Sequence, residues 1–401
     1  MCAVEWKSLE ELGNFYGGLS GKSKEDFQDG NAKFVAYMNV YSNMSLDFTI
    51  VDMVKVGEDE KQNSIKYGDI LFTGSSETPD DCGMSCVVTR HIDEPIYLNS
   101  FCFGFRFDDV EKFEPDFLKH YFRCIAMRKA ISLTASGVTR FNVSKKRFGK
   151  IQIPLLAVSK QQEIVSHLDT FTTLISNLES ELDMRRKQYE HYRNQLLDFE
   201  GVEGVEWKTL GEIGDVTKLA GFEFTEHVTY KEKGNIIALR GLNVRNGYLD
   251  LSDVKYIDGS NFEKLGRSRL YINDMLFTYV GTIGNVALIS ENDKFYLAPN
   301  VSRIRLNESF IKSRFALYYF QCFSFINSQI NKYLNASSMK NLTMENIRKF
   351  LLPILPMPTQ QEIVEKLDAF ENLIQSLEQE IKLRKQQYEY YREKLLTFEK
   401  E

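Results

Sequence analysis

No run of 18 apolar residues occurs in the 401-residue sequence, and its first residues show no basic-then-apolar leader pattern. A membrane span and a secretory signal are therefore not expected, and a cytoplasmic location is. The six cysteines (Cys2, Cys82, Cys86, Cys102, Cys124 and Cys322) lack the spacing of a disulfide framework, which fits thiols in a reducing compartment. Cys82 and Cys86 have neither a second cysteine pair nor a His-x-x-x-His to complete a metal site, so no metal is expected. The five histidines are scattered, and His167 and His191 read as surface positions on helices rather than as bases. There is no G-x-x-x-x-G-K-[ST] loop to hold a nucleoside triphosphate. An amino-methyltransferase would need an Asn/Asp-Pro-Pro-aromatic motif and a glycine-rich loop after a strand. Neither is present, and "LAPNVS" (Leu297–Ser302) has one proline in the wrong order. The short glycine pair of "GTIG" (Gly281–Gly284) reads as a tight strand connection rather than a phosphate cradle. Neither catalysis nor a bound cofactor is expected of this chain.

A second kind of absence is local. The net charge is −6, which on its own argues against a nucleic-acid partner. Yet no Asp or Glu occurs from Phe117 to Gln162, where Lys119, Arg123, Arg128, Lys129, Arg140, Lys145, Lys146, Arg147, Lys150 and Lys160 lie. The stretch from Ser309 to Met344 also lacks acids and carries Lys312, Arg314, Lys332 and Lys340. Such basic stretches are compatible with nucleic acid, and a plain solvated surface is the alternative.

What is present is a duplication. "QQEIVSHLDTF" starts at Gln161 and "QQEIVEKLDAF" at Gln360, and Gln161–Glu200 aligned with Gln360–Glu399 gives about 23 identities in 40 positions without a gap. "VEWKSLEELG" at Val4 returns as "VEWKTLGEIG" at Val205. The repeated segment reads as a long helix. Leu168, Phe171, Ile175, Leu178, Leu182, Tyr189, Tyr192, Leu196 and Phe199 alternate in steps of three and four, with Arg185 off the pattern. Leu367, Phe370, Ile374, Leu377, Ile381, Tyr388, Tyr391, Leu395 and Phe398 repeat the seam, which makes each helix the obvious partner of the other. Ser159 and Thr359 are expected to cap these helices, after a chain kept extended by Pro154, Pro353, Pro356 and Pro358. A helix of about 34 residues spans roughly 50 Å. Antiparallel pairing would make a rod with a pseudo-two-fold axis and a head at either end.

Between the repeats lie mixed regions of strands, turns and short helices. "GDILFTGSS" (Gly68–Ser76) matches "NDMLFTYVGTIGNVALI" (Asn273–Ile289), and "IYLNSFCFGFRF" (Ile96–Phe107) matches "FYLAPNVSRIRL" (Phe295–Leu306). "FEPDFLKHYFRC" and "FIKSRFALYYFQC" read as short helices next to them. Outside these pieces the two regions differ, as expected when one scaffold presents two recognition surfaces.

On the duplicated "QQEIV…LD.F" helix, the "P…P…QQ" entry into it and the "GDILF"/"NDMLF" and "GTIGNVA" elements, the chain resembles the specificity subunit (HsdS) of type I restriction–modification systems over essentially its whole length. The resemblance implies an α/β (α+β) fold of two mixed target-recognition heads separated by a pair of long antiparallel coiled-coil helices. It implies heads at 1–158 and 201–357 and spacer helices at 159–200 and 358–401. Each head would read one half of an asymmetric bipartite target in double-stranded DNA. The helices would set the gap and dock two modification (methyltransferase) subunits; a rod of roughly 50 Å puts the head centres about 15 base pairs apart, and the unread gap is shorter because each head covers several base pairs. Restriction/translocase subunits would be further partners. S-adenosylmethionine, ATP and magnesium would belong to those partners and not to this chain. "TGSSETPDDCGMSCVV" (Thr73–Val88) departs from its counterpart in length and acidity, so no contact is carried over through it. A two-headed protein adaptor that does not read DNA is the alternative.

Base edges need side chains with donor and acceptor patterns, positioned by phosphate contacts. In the first head "SGVTRFNVSKKR" (Ser136–Arg147) supplies Thr139 and Arg140 for bases and Lys145, Lys146 and Arg147 for phosphates. In the second, "SSMKNLTMENIR" (Ser337–Arg348) supplies Lys340 and Asn341, suited to guanine and adenine edges respectively. Tyr279 and Thr282 are weaker candidates. The spacer and docking positions are Leu168, Phe171, Ile175, Leu178, Tyr189 and Tyr192, with Leu367, Phe370, Ile374, Leu377, Tyr388 and Tyr391.

Overall fold

The computed structural model describes residues 4–219, 221–335 and 341–398. The chain forms two compact units, Met1–Glu179 with Gln379–Glu401, and Ser180–Glu378.

In the first unit the opening strand Glu5–Ser8 runs antiparallel to Gln152–Leu155, with Trp6 opposite Pro154. The head's first and last strands are thus neighbours, in a two-stranded sheet where a proline is tolerated at an edge. Ser8 then starts a helical turn, Leu9–Leu12, with Glu11 reaching back to the Ser8 amide at 2.8 Å. The S-x-x-E of "SLEE" is a capping box, and Thr209 with Glu212 repeats it at 2.7 Å. A four-stranded antiparallel sheet follows in the order Gly13–Gly17, Cys102–Phe107, Ile70–Thr73, Ser85–Val87. Beside it a mixed sheet runs Asp52–Val54, Ala32–Val35, Ile96–Leu98, its second pair parallel.

The second unit repeats this plan. Glu206–Thr209 pairs with Leu351–Ile354, Trp207 opposite Pro353. The four-stranded sheet is Gly214–Lys218, Val301–Leu306, Met275–Thr278, Val286–Leu288, and the mixed sheet is Lys255–Tyr256, Ile237–Leu239, Phe295–Leu297. Each core is rich in phenylalanine: Phe72, Phe105 and Phe148 in one unit, Phe277, Phe320 and Phe350 in the other, all fully buried. Burial of each such ring contributes roughly 1.5–3 kcal/mol.

Three polar devices explain the repeated letters. The Asp of "GDILF" and "NDMLF" is 1% exposed in both units. Asp69 is clasped by both Arg106 Nε (2.8 Å) and Nη2 (2.6 Å), and Asp274 by Arg305 Nε (2.6 Å) and Nη2 (2.7 Å). Each carboxylate also accepts from the amide three residues before it, Lys66 or Tyr271. The first Gln of "QQEIV" is buried and ties its helix to its head. Gln161 Nε2 donates to Lys112 O and Leu156 O while its Oε1 accepts from the Glu114 amide. Gln360 does the same with Phe310 O, Leu355 O and the Lys312 amide. The Asp of "LD.F" completes the joint. Asp169 meets Lys119 (2.9 Å) and His120 (2.8 Å), and Asp368 meets Arg314 (2.9 Å) and Tyr318 (2.5 Å).

The repeated segments are helices of 39 and 40 residues, Val158–Leu196 and Met357–Leu396. Their starts correct the expected caps. Ser159 and Thr359 lie inside the first turn, where the Gln161 and Gln360 amides bond to Ala157 O and Pro356 O. Pro358 is also helical; at this position its missing N–H costs nothing, since the first amides have no intrahelical acceptor. In the first unit Phe171 stacks on Tyr391 at 5.3 Å and Glu179 pairs with Lys385 at 2.7 Å. In the second, Tyr192 stacks on Phe370 at 5.5 Å and Arg186 pairs with Glu378 at 2.6 Å. Both registers are antiparallel. Leu168, Ile175, Leu367 and Tyr388 are buried, Phe171, Leu178, Tyr189, Phe370, Ile374, Leu377 and Tyr391 half-buried, and Tyr192 is 38% exposed. Among the described residues no helix is long and apolar enough to cross a membrane.

Candidate nucleic-acid interface

The acid-free stretch of the first head divides into cations used inside the protein and cations left outside. Lys119 is held between Asp116 and Asp169. Arg123 donates to the carbonyls of Val40, Tyr41, Asn43 and Ser85; burial pulls its pKa down to about 10, so it stays charged at neutral pH. Arg128 donates to Asp80, Cys82 and Gly83 carbonyls and so folds the acidic loop that follows Thr73 back on the head. These three are structural. Arg140, Lys145, Lys146 and Arg147 are exposed and form no ion pair among the described residues.

A small three-stranded sheet presents them, in the order Ala135–Gly137, Phe141–Val143, Ser75–Ser76. Its hairpin turns through Val138, Thr139 and Arg140, with Val138 91% exposed and Thr139 exposed beside it. The tightness of the turn requires Gly137, because a Cβ there would sit 2.0 Å from the Arg140 carbonyl oxygen. Arg140 Nε donates to Ser75 Oγ at 3.1 Å, and its guanidinium lies 5.7 Å from the ring of Phe101, itself exposed. That stacking holds the long side chain in place without neutralising it. Val143 N donates to Gly74 O at 3.0 Å, and Ser144 caps the short helix Lys145–Phe148 by accepting from Arg147 N. The three cations are the first three residues of that helix. Lys145 rests over Phe103 at 5.2 Å, and burial there lowers its pKa.

In the second head Leu342 N donates to Tyr279 O at 3.1 Å, and Thr343 caps Met344–Arg348 by accepting from Asn346 N at 3.1 Å. Lys340 lies outside the described residues. Asn341 is half-exposed. Tyr279 is a core residue, 8% exposed, with its phenol pKa raised by burial. Thr282 is exposed on the turn of "GTIG", whose Gly281 and Gly284 take φ of 77° and 95°. Thr278 Oγ1 braces that turn by donating to Thr282 O and accepting from the Asn285 amide. Asn285 Nδ2 in turn reaches Val244 O at 3.0 Å, bringing in a second hairpin that exposes Tyr248. Arg240 and Arg245 nearby are paired with Asp253 and Asp250.

One residue of this surface was missed in the sequence. Asn142 is exposed in the strand Phe141–Val143, directly opposite Ser136 and opposite the Ser75 to which Arg140 Nε donates. The echo of "NVS" (Asn142–Ser144) in "NLT" (Asn341–Thr343) is the signal that could have found it. No group of three or more His, Cys, Asp or Glu stands ready to hold a metal ion among the described residues.

The chain is 32% identical over 258 residues to the EcoR124I/EcoR124II type I restriction enzyme specificity subunit of Escherichia coli, an alignment that covers 62% of this chain and 61% of that protein. The chain thus spans less than two thirds of that relative's length. It is 28% identical over 304 residues to a putative type I restriction enzyme specificity subunit of Haemophilus influenzae, covering 72% and 73% of the two chains. Its fold is like that of the type I restriction–modification S subunit of M. genitalium, with a TM-score of 0.52 at 13% identity, over 100% of this chain and 98% of the other. A chain from a structure of type I system assembly and conformational transition gives a TM-score of 0.66 at 15% identity, over 99% and 98%. The family model for the type I restriction modification DNA specificity domain matches twice, at residues 3–184 and 203–383, once per repeat, and the chain belongs to that family.

Proposed function

We propose that the chain is the non-catalytic DNA-specificity subunit of a type I restriction–modification complex, each head reading one half of an asymmetric bipartite target. The observation that carries this reading is the contrast within the repeat. The Asp–Arg clasp, the buried Gln and the strand order are duplicated. The sequences that lead into the short capped helices are not: "VTR" (Val138–Arg140) stands ahead of Lys145–Lys146–Arg147 in one half, and "SMK" (Ser338–Lys340) ahead of Met344–Glu345–Asn346 in the other. A fixed frame carrying two unlike polar sequences suits two unlike half-sites.

In the first head Arg140 and Thr139 contact base edges, and Lys145, Lys146 and Arg147 contact phosphates. In the second, Asn341 and Lys340 take the base edges and Thr282 flanks them; the Tyr279 ring, being in the core, supports the turn. The long helices, each with residues in both units, set the gap and dock two modification subunits. Restriction/translocase subunits join that complex in the cytoplasm. S-adenosylmethionine, ATP and magnesium are assigned to those partners. The test is selection of bound duplexes from a random library by the full chain assembled with modification subunits. Two specified blocks of different sequence, separated by an unspecified gap of constant length, are expected. Recovery of no common sequence would overturn the reading.

A further inference from the structure

We infer that Asn142 and Asn341 are equivalent base-reading residues, each contacting one adenine in the major groove of its half-site. The inference rests on the DNA-reading function above and deepens it.

The equivalence is structural and does not depend on the tips being alike. The strands Ile70–Thr73 and Met275–Thr278 both end in "LFT", and the residue after each, Gly74 or Tyr279, offers its carbonyl to the recognition segment. Val143 N takes the first at 3.0 Å and Leu342 N the second at 3.1 Å. The next residue, Ser144 or Thr343, caps a short helix in both heads. The residue before is asparagine in both. Register therefore sets Asn341 against Asn142, and sets Arg140 two places before Asn142.

Asparagine is poorly suited to a strand, and its amide normally serves a turn or a cap. Asn142 does neither. It is exposed, and its amide makes no hydrogen bond among the described residues; the same holds for the amide of Asn341. An amide that offers one donor and one acceptor side by side matches the N6 donor and N7 acceptor of adenine. Arg140, in the turn just before the strand and held by Phe101 and by Ser75, the cross-strand partner of Asn142, is placed to take the O6 and N7 of a neighbouring guanine. Ser75 and Ser136 opposite Asn142 are small, which leaves the amide room to meet a base edge.

The experiment repeats the random-duplex selection with the assembled complex carrying wild-type chain, Asn142→Ala, or Asn341→Ala, with thermal melting of each variant as the folding control. Asn142→Ala should lose the preference for adenine at one position of the first block, weaken binding to the wild-type target by roughly 5- to 150-fold, and leave the second block untouched. Asn341→Ala should do the converse. In the wild-type target, replacing the adenine concerned by 7-deazaadenine should weaken wild-type binding and have no further effect on the matching variant. If the wild type selects a bipartite sequence and the variants select the same one with equal affinity, the asparagine assignment falls while the DNA-reading function stands. If a variant weakens binding equally for all sequences, the residue contacts the backbone and the assignment also falls. If the wild type selects nothing, both fall together.

Discussion

The two units solve one structural problem twice and then diverge where they meet solvent. Asp169 and Asp368 stand at the same letter of the repeat and tie a long helix to its head, but one uses Lys119 and His120 and the other Arg314 and Tyr318. The short helices Lys145–Phe148 and Met344–Arg348 have matching caps, yet one carries three cations and the other "MEN" in their place. The carboxylate and the cap are thus requirements of the frame, whereas the outward-facing charges differ between the heads. It also distributes charge differently: among the described residues Arg140, Lys145, Lys146 and Arg147 of the first head form no ion pair, whereas in the second Lys218 over the Tyr279 ring forms none and Arg240 and Arg245 are neutralised by neighbouring aspartates.

The buried carboxylates carry the largest expected effects. Asp69→Ala should cost about 3 kcal/mol, because it strands a partly buried guanidinium together with the Tyr16 hydroxyl that Asp69 also accepts at 2.6 Å. Asp274→Ala should cost about 2 kcal/mol, since Arg305 loses its partner but no tyrosine is orphaned. Hydrogen exchange of Ile70–Thr73 in one variant and Met275–Thr278 in the other reads the two losses separately; equal losses would show that the tyrosine adds nothing.

Gln161→Ala and Gln360→Ala should each cost about 2 kcal/mol, and by nearly the same amount, because each leaves one amide and two carbonyls without their partner. Urea denaturation followed by exchange at the helix starts checks this. A large inequality between them would mean that the two joints are not equivalent.

The electrostatic inequality is sharpened by salt. Replacing Lys145, Lys146 and Arg147 with Gln should reduce the slope of log affinity against log salt by up to about 2.7, about 0.9 for each phosphate that is no longer neutralised. Glu345→Gln in the matching helix should leave the slope unchanged. An unaltered slope in the triple variant would place this helix away from the DNA.

The smallest effect expected is of pH. His120 is buried between Asp169 and the hydroxyl of Tyr388, and burial lowers its pKa despite the nearby carboxylate, while Tyr388 is pushed up to about 12 by burial. A neutral ring with its proton on Nε2 satisfies both neighbours. The unfolded chain takes up a proton near pH 6.5 more readily than the folded one. This contribution to stability is therefore complete above about pH 6.5 and is lost as pH falls below it. Exchange at Pro115–Tyr121 should rise between pH 7.5 and pH 5.5, and His120→Asn should remove that rise. Exchange at Ser313–Gln321, where Tyr318 replaces the histidine, should not follow.

Much of this fold is legible in the letters alone. The three–four alternation from Leu168 onward could only be a helix seam, because no other regular structure places those side chains on one face. The gapless repeat of Gln161–Glu200 at Gln360–Glu399 required a second helix like the first, and the echoes of "VEWK" and of "GDILF" in "NDMLF" extended the likeness to the heads. The cations are not sorted in that way. Arg123 and Arg128 read identically to Arg140 in the sequence, and all three lie in one acid-free run. Two of them are committed to carbonyls 38 to 83 residues away, partners that chain order cannot reveal. Tyr279 looks like a surface residue on a turn, and the core packing of its ring depends on elements far from it in the chain.

Periodicity and duplication are local or self-referential properties, so the chain's letters suffice for the helices, the two-fold repetition and the family. Which charge is buried and which is left exposed, and which asparagine stands exposed on a strand, depend on what other segments bring within 3 Å. Those distances exist only once the sheets have closed.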